Sequence, residues 1–233
     1  MTNTLHRYGV LAGVKRLPRD GVKDDYVVFM MPTRGINEEG CVEKLQTFLQ
    51  MALKHNPVNL GDARKGGIYR PSKSLNPLVH WRRKEEKHIS QVIEGIDGAT
   101  TVSAVFDNPE AVVEFLKGLK DADLGISVNI SAPEGEGRRC CQEAGIIRHS
   151  VEFSLGFQGR VESLPDRHVL EIALMCGHGM VSFNFIKKMM DLVKEGRRRP
   201  EEAALYMAKF CTCGVFNPTR AVRLLGEARL SHP

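Results

Sequence analysis

The chain has 233 residues, 42% hydrophobic and 26% charged, a balance that supports a packed core and excludes disordered and collagen-like classes. Thirty-three Lys and Arg stand against 28 Asp and Glu, and the resulting net charge of +5 is spread among interspersed acids, which implies a modest preference for anionic partners. No apolar run approaches the roughly 18 residues of a membrane span, and residues 1–7 are polar, so the chain is expected to be cytoplasmic with no membrane partner.

The first element is a buried strand over 26–31, Tyr-Val-Val-Phe-Met-Met, closed by Pro32. Thr33-Arg34-Gly35 forms a turn, Asn37 is the expected N-cap, and Val42, Leu45, Phe48, Leu49 and Leu53 recur at helical spacing up to Pro57. Residues 59–77 carry Gly61, Gly66, Gly67, Pro71 and Pro77 with Arg64, Lys65, Arg70 and Lys73, and read as a long basic loop. A helix over 79–96 is expected next, its apolar residues gathered near Gly98.

A strand over 101–106, the junction Asp107-Asn108-Pro109, a helix faced by Val112, Val113, Phe115, Leu116 and Leu119, and an alternating strand over 126–130 make one strand–helix–strand unit, with parallel or split pairing. A short helix over 137–144 and a strand over 149–155 follow. Ser163-Leu164-Pro165-Asp166 has capping-box spacing for a helix over 164–175, Cys176-Gly177-His178-Gly179 breaks it, and three further helices begin near Ser182, Pro200 and Asn217-Pro218. The fold class is therefore α/β (or α+β): a mixed sheet core with flanking helices over 1–158, and an all-helical, cysteine-bearing segment over 159–233 packed on it.

Six cysteines in a chain read as cytoplasmic are reduced thiols, serving as packing, ligands or catalysts. Cys41 lies inside an amphipathic helix and reads as packing. The other five are Cys140, Cys141, Cys176, Cys211 and Cys213. Cys211-Thr212-Cys213-Gly214 sits between two helices, and Cys176-Gly177-His178-Gly179 offers a second glycine-bearing turn with His178 as a nitrogen donor. Turns let neighbouring side chains converge on one ion and point free amides at sulfur. Two short-linked helices between these turns return antiparallel, so Cys176, Cys211 and Cys213 are expected to meet. The metal ligands expected are Cys176, Cys211, Cys213 and, in the fourth place, Cys141.

Thirty-four residues separate Cys141 from Cys176, and thirty-four separate Cys176 from Cys211. That spacing resembles the doubled-cysteine pattern of the cysteine-rich domains of heterodisulfide reductases. Gln142 stands where that family has glycine after the pair, and the closing pair is C-x-C, so no residue role is carried over.

Two functional classes follow. The first is an enzyme with an iron–sulfur cluster, or alternatively zinc, held by those cysteines. It would act on a small anionic substrate as a lyase, desulfidase or redox enzyme, with His178 as its catalytic group and Arg34, Arg64, Lys65 and Arg70 holding the substrate. The second is a non-catalytic binding protein with structural zinc or free cysteines. Its basic surface would meet an acidic partner, within a homo-oligomer or as an accessory subunit of a larger complex. The short basic clusters at 81–84, 138–139 and 197–199 and an aromatic content of 6% argue against nucleic acid as the partner. No phosphate-loop or dinucleotide fingerprint occurs.

Overall fold

The computed structural model describes residues 24–69, 89–152 and 160–230. Strand β1, Tyr26–Met30, is apolar throughout and buried at every position, because both of its faces are covered. It pairs antiparallel with β4, Val102–Phe106, on one side and with β5, Val128–Ser131, on the other. Strand β2, Asn59–Asp62, pairs antiparallel with β4 and with the short β3, Gly66–Gly67. The sheet order is β3-β2-β4-β1-β5.

Helix α1, Cys41–Leu53, connects β1 to β2, and β4 lies between those two strands. Helix α3, Pro109–Ala122, connects β4 to β5, and β1 lies between them. Each strand–helix–strand unit is thus split by a strand of the other, the interlocked ββ-sheet topology of ferredoxin-like folds, here with a hairpin added at the β2 edge. Of the two pairings the sequence left open over 101–130, parallel or split, the sheet has the split one.

Alternation along β1 and β4 divides the interior in two. Tyr26, Val28, Met30, Val102, Ala104 and Phe106 face a layer made by α1, α2 (Ile89–Glu94) and α3, which Cys140 of α4, Glu134–Glu143, also joins. Phe115 centres this layer, with ring centroids 5.1 Å from Phe48 and 5.5 Å from Phe106. Val27, Phe29 and Val105 point the other way, into α5 (Arg167–Leu174), α6 (Phe183–Lys194), α7 (Pro200–Ala208) and α8 (Pro218–Leu230). The C-terminal helices therefore cover the second face of the sheet. Among the described residues no helix is long and apolar enough to cross a membrane.

Several local expectations are corrected. Residues 59–67 are a hairpin, since β2 takes its backbone partners from β4 even though its own sequence, Asn-Leu-Gly-Asp, has little strand preference. Asn37 does not cap α1. Its Oδ1 accepts from Thr33 N and its Nδ2 donates to Gly125 O, while Gly40, at φ 63°, precedes the helix. Asp166, and not Ser163, caps α5 by accepting from Val169 N at 3.1 Å. Residues 149–152 form no strand, and 153–155 lie outside the described residues, as do 79–88 of the helix expected over 79–96. Asn108 caps α3 as expected, accepting from Glu110 N and Ala111 N.

Candidate metal-binding thiol cluster

Helix α5 ends at the turn holding Cys176, and α7 ends at the turn holding Cys211 and Cys213. Helices α6 and α7 lie between and carry the chain out and back, bringing the two turns together. The Cys211 thiol hydrogen-bonds both Cys176 and Cys213. Backbone N–H groups also address these sulfurs: those of His178 and Met180 reach Cys176, those of Val215 and Phe216 reach Cys211, and that of Val215 reaches Cys213. His178 Nδ1 lies 3.6 Å from Cys213 Sγ. All three thiols are buried, and His178 is exposed above them.

These donors set the protonation pattern. Bonds from Cys176 and then Cys213, with the Val215 and Phe216 amides, hold the Cys211 thiol well below the ordinary range against the opposing effect of burial. Cys176 and Cys213 are pushed up, first by giving their hydrogen bonds to Cys211 and second by burial. Electron-rich sulfur is thus concentrated at Cys211, inside the protein. As the side chains stand, no group of three or more His, Cys, Asp or Glu among the described residues is arranged to hold a metal ion. Cys211 bonds the other two thiols instead.

The cysteine turn is seated on the sheet by backbone contacts. A β-carbon at Gly61 would stand 2.9 Å from Cys213 O and 3.0 Å from Gly214 Cα, and one at Gly67 would stand 3.0 Å from Gly214 Cα. Gly214 itself has φ +71°, a conformation that favours glycine. Ser103 Oγ donates to Cys213 O at 2.8 Å, and Asn59 Nδ2 donates to Phe216 O at 2.8 Å. The hairpin glycines, read from the sequence as loop formers, instead give the cysteine turn room to approach.

A buried ionic group lies just beyond. Arg220 Nη1 is 3.3 Å from Asp25 Oδ2, Arg220 Nη2 is 3.7 Å from Glu171 Oε2, and Arg167 Nε donates to Glu171 Oε1 at 2.7 Å. Asn217 completes it, its Nδ2 donating to Asp25 Oδ1 and its Oδ1 accepting from Arg220 N. This group ties α5 and α8 to the entrance of β1. Sequence reasoning missed it because nothing in the spacing of Asp25, Glu171 and Arg220 signals a contact.

The remaining expected residues lie elsewhere. Cys141 is on α4, where Cys140 packs in the opposite layer. Burial pushes the Cys141 thiol up, with Arg148 opposing, and the structure does not bring it to the other three. The connection through α4 keeps it beside α3. Arg64 and Lys65 form the β2–β3 turn and pair with Asp97, and Arg64 Nη1 also donates to Ala99 O. Arg34 is exposed in the turn after β1. Register places Met30, Val102 and Asp62 side by side, so Arg34 and the Arg64–Lys65 turn share one end of the sheet. Arg70 lies outside the described residues.

No family model, no curated protein and no solved structure matches the chain.

Proposed function

We propose that the protein binds one soft divalent ion, best fitted by zinc, through Cys176, Cys211, Cys213 and His178, and that the ion ties the turn after α5 to the turn after α7. The observation that carries this reading is His178 Nδ1 at 3.6 Å from Cys213 Sγ, in a cluster where the Cys211 thiol bonds both Cys176 and Cys213. Zinc–sulfur bonds of about 2.3 Å and zinc–nitrogen bonds of about 2.0–2.1 Å at a tetrahedral angle separate sulfur from nitrogen by about 3.6 Å. The same arithmetic separates two zinc-bound sulfurs by about 3.8 Å, so small side-chain movements would have to bring the three thiols onto one ion. A four-iron cluster needs its thiolates spread more widely.

Amides directed at sulfur favour thiolates, and a buried thiolate favours a cation beside it. Three cysteines and a histidine form a closed donor set, which suits a structural ion more than a catalytic one. A second reading, an enzyme with an iron–sulfur cluster on the same thiols and a small anionic substrate, draws on the basic residues Arg34, Arg64 and Lys65 at one end of the sheet.

The test is metal content and visible absorption of protein purified without oxygen, followed by zinc titration. One zinc per chain and a colourless solution are expected. Cys176→Ser, Cys211→Ser and Cys213→Ser should lose the ion, and Cys41→Ser should keep it. A brown protein containing iron and sulfide would transfer support to the cluster. A folded protein that takes up neither would end both readings.

A further inference from the structure

The four donors of the cluster are held in unequal ways. Cys213 sits in a turn pinned to the sheet: its carbonyl accepts from Ser103 Oγ at 2.8 Å, and the backbone of Gly214 lies against that of Gly61 and Gly67 with no room for an added carbon. Cys211 follows the end of α7, its N–H donating to Ala208 O at 3.1 Å, and Cys176 follows the end of α5, its N–H donating to Ala173 O at 3.2 Å. All three are buried. Drawing any of these sulfurs into water requires a helix end or the seated turn to give way.

His178 is the opposite case. It occupies the third position of the turn Cys176–Gly179, closed by the Gly179 N–H donating to Cys176 O at 2.9 Å, and its side chain is exposed. Gly179 beside it, at φ +66°, has nothing within 4 Å of an added carbon. The ring meets Cys213 Sγ at 3.6 Å through Nδ1. Rotation about its side-chain bonds carries the imidazole from Cys213 into water with no movement of the backbone.

We infer that His178 is the exchangeable ligand of this site: the ion is taken up from solution and given back to it where the imidazole stands, while the three thiolates keep hold. The inference rests on the ion proposed above and adds the route by which it comes and goes. A thiolate or an imidazole of a soluble molecule forms its bond to the ion as the His178 nitrogen leaves, and the His178 ring departs neutral, with no change of oxidation state. Three protein ligands with a fourth position open to solution is the arrangement by which zinc sites admit outside ligands. Release led by a buried thiolate would instead need local unfolding, and its rate would be indifferent to the donor waiting in solution.

The experiment mixes the full chain, carrying one zinc, with increasing pyridylazoresorcinol, a chelator whose colour reports captured zinc. The rate of transfer is expected to rise with chelator concentration. His178→Ala should still hold one zinc before mixing and should give it up faster by at least about tenfold, the scale on which lost ligand support weakens a metal site. His149→Ala, which removes an exposed histidine from the segment after α4, should transfer at the wild-type rate. In the cobalt-loaded proteins, added imidazole should shift the visible bands of His178→Ala and leave those of the wild type in place. A transfer rate that does not change with chelator concentration, an unshifted cobalt spectrum in His178→Ala, or loss of the ion by that variant would overturn the inference. The wild-type concentration dependence decides it even where the variant fails to fold. The two proposals fail in different ways: a wild-type chain that takes up no zinc ends the ion and the exchange with it, and a zinc-bearing chain whose transfer ignores the chelator ends the exchange at His178 alone.

Discussion

Gly214 and Gly61 meet backbone to backbone: the Cβ position of Gly214 is 2.8 Å from both the N and the Cα of Gly61, and 2.7 Å from Leu60 O. Gly214→Ala therefore combines a left-handed backbone conformation with collision against main chain that cannot turn aside. The expected cost is about 3 kcal/mol or more, read as a lower urea midpoint. Gly226→Ala is the contrasting substitution. It lies inside α8 with nothing within 4 Å of its added carbon, and should stabilise by about 0.5–1 kcal/mol.

Arg220 is almost completely buried between Asp25 and Glu171, which are buried as well. Arg220→Met removes the cation and leaves two carboxylates inside the protein, so a loss of about 3–5 kcal/mol is expected in chemical unfolding. The double variant Arg220→Met with Asp25→Asn should cost less than the two single changes added together, because the charge removed at Asp25 has already lost its partner. Strict additivity would show that the pair is not coupled.

Alkaline pH should weaken the fold through the layer opposite the thiol cluster. Burial pushes the Cys140 thiol up to about 11, with Glu136 adding to the rise and Arg139 opposing it. In the unfolded chain a cysteine titrates near 8.5. Between these values the unfolded state binds fewer protons than the native state, so stability declines as pH rises from about 8.5 and the decline ends near 11. Cys140 contributes up to about 3 kcal/mol of that loss. Urea unfolding at pH 7.5, 9 and 10.5 measures the slope, which should be shallower in Cys140→Ala. An unchanged slope would refute the assignment to this thiol.

Asn108 fixes the start of α3 with two bonds to backbone N–H groups. Asn108→Ala should cost about 1 kcal/mol, and Asn108→Ser substantially less, since serine also caps. Thermal unfolding distinguishes the two substitutions. Equal losses would mean that the cap bonds are not what the asparagine contributes.

Apolar runs in the sequence determined β1 and β4, and apolar residues at helical spacing determined the faces of α1 and α3, because those patterns record burial along one element. Glycine-bearing breaks and the short link before Pro200 likewise marked Cys176, Cys211 and Cys213 as residues able to meet. The tertiary structure alone decided that 59–67 is a hairpin, since its strand identity comes from hydrogen bonds to β4 and its glycines answer a turn about 150 residues away. It also set the split order of the sheet, put Cys140 in the opposite layer and left Cys141 apart from the three thiols, and buried Arg220 against Asp25. Local periodicity reports burial along one element. Which elements share a face, and which distant charges meet, depends on contacts between segments that the order of residues does not record.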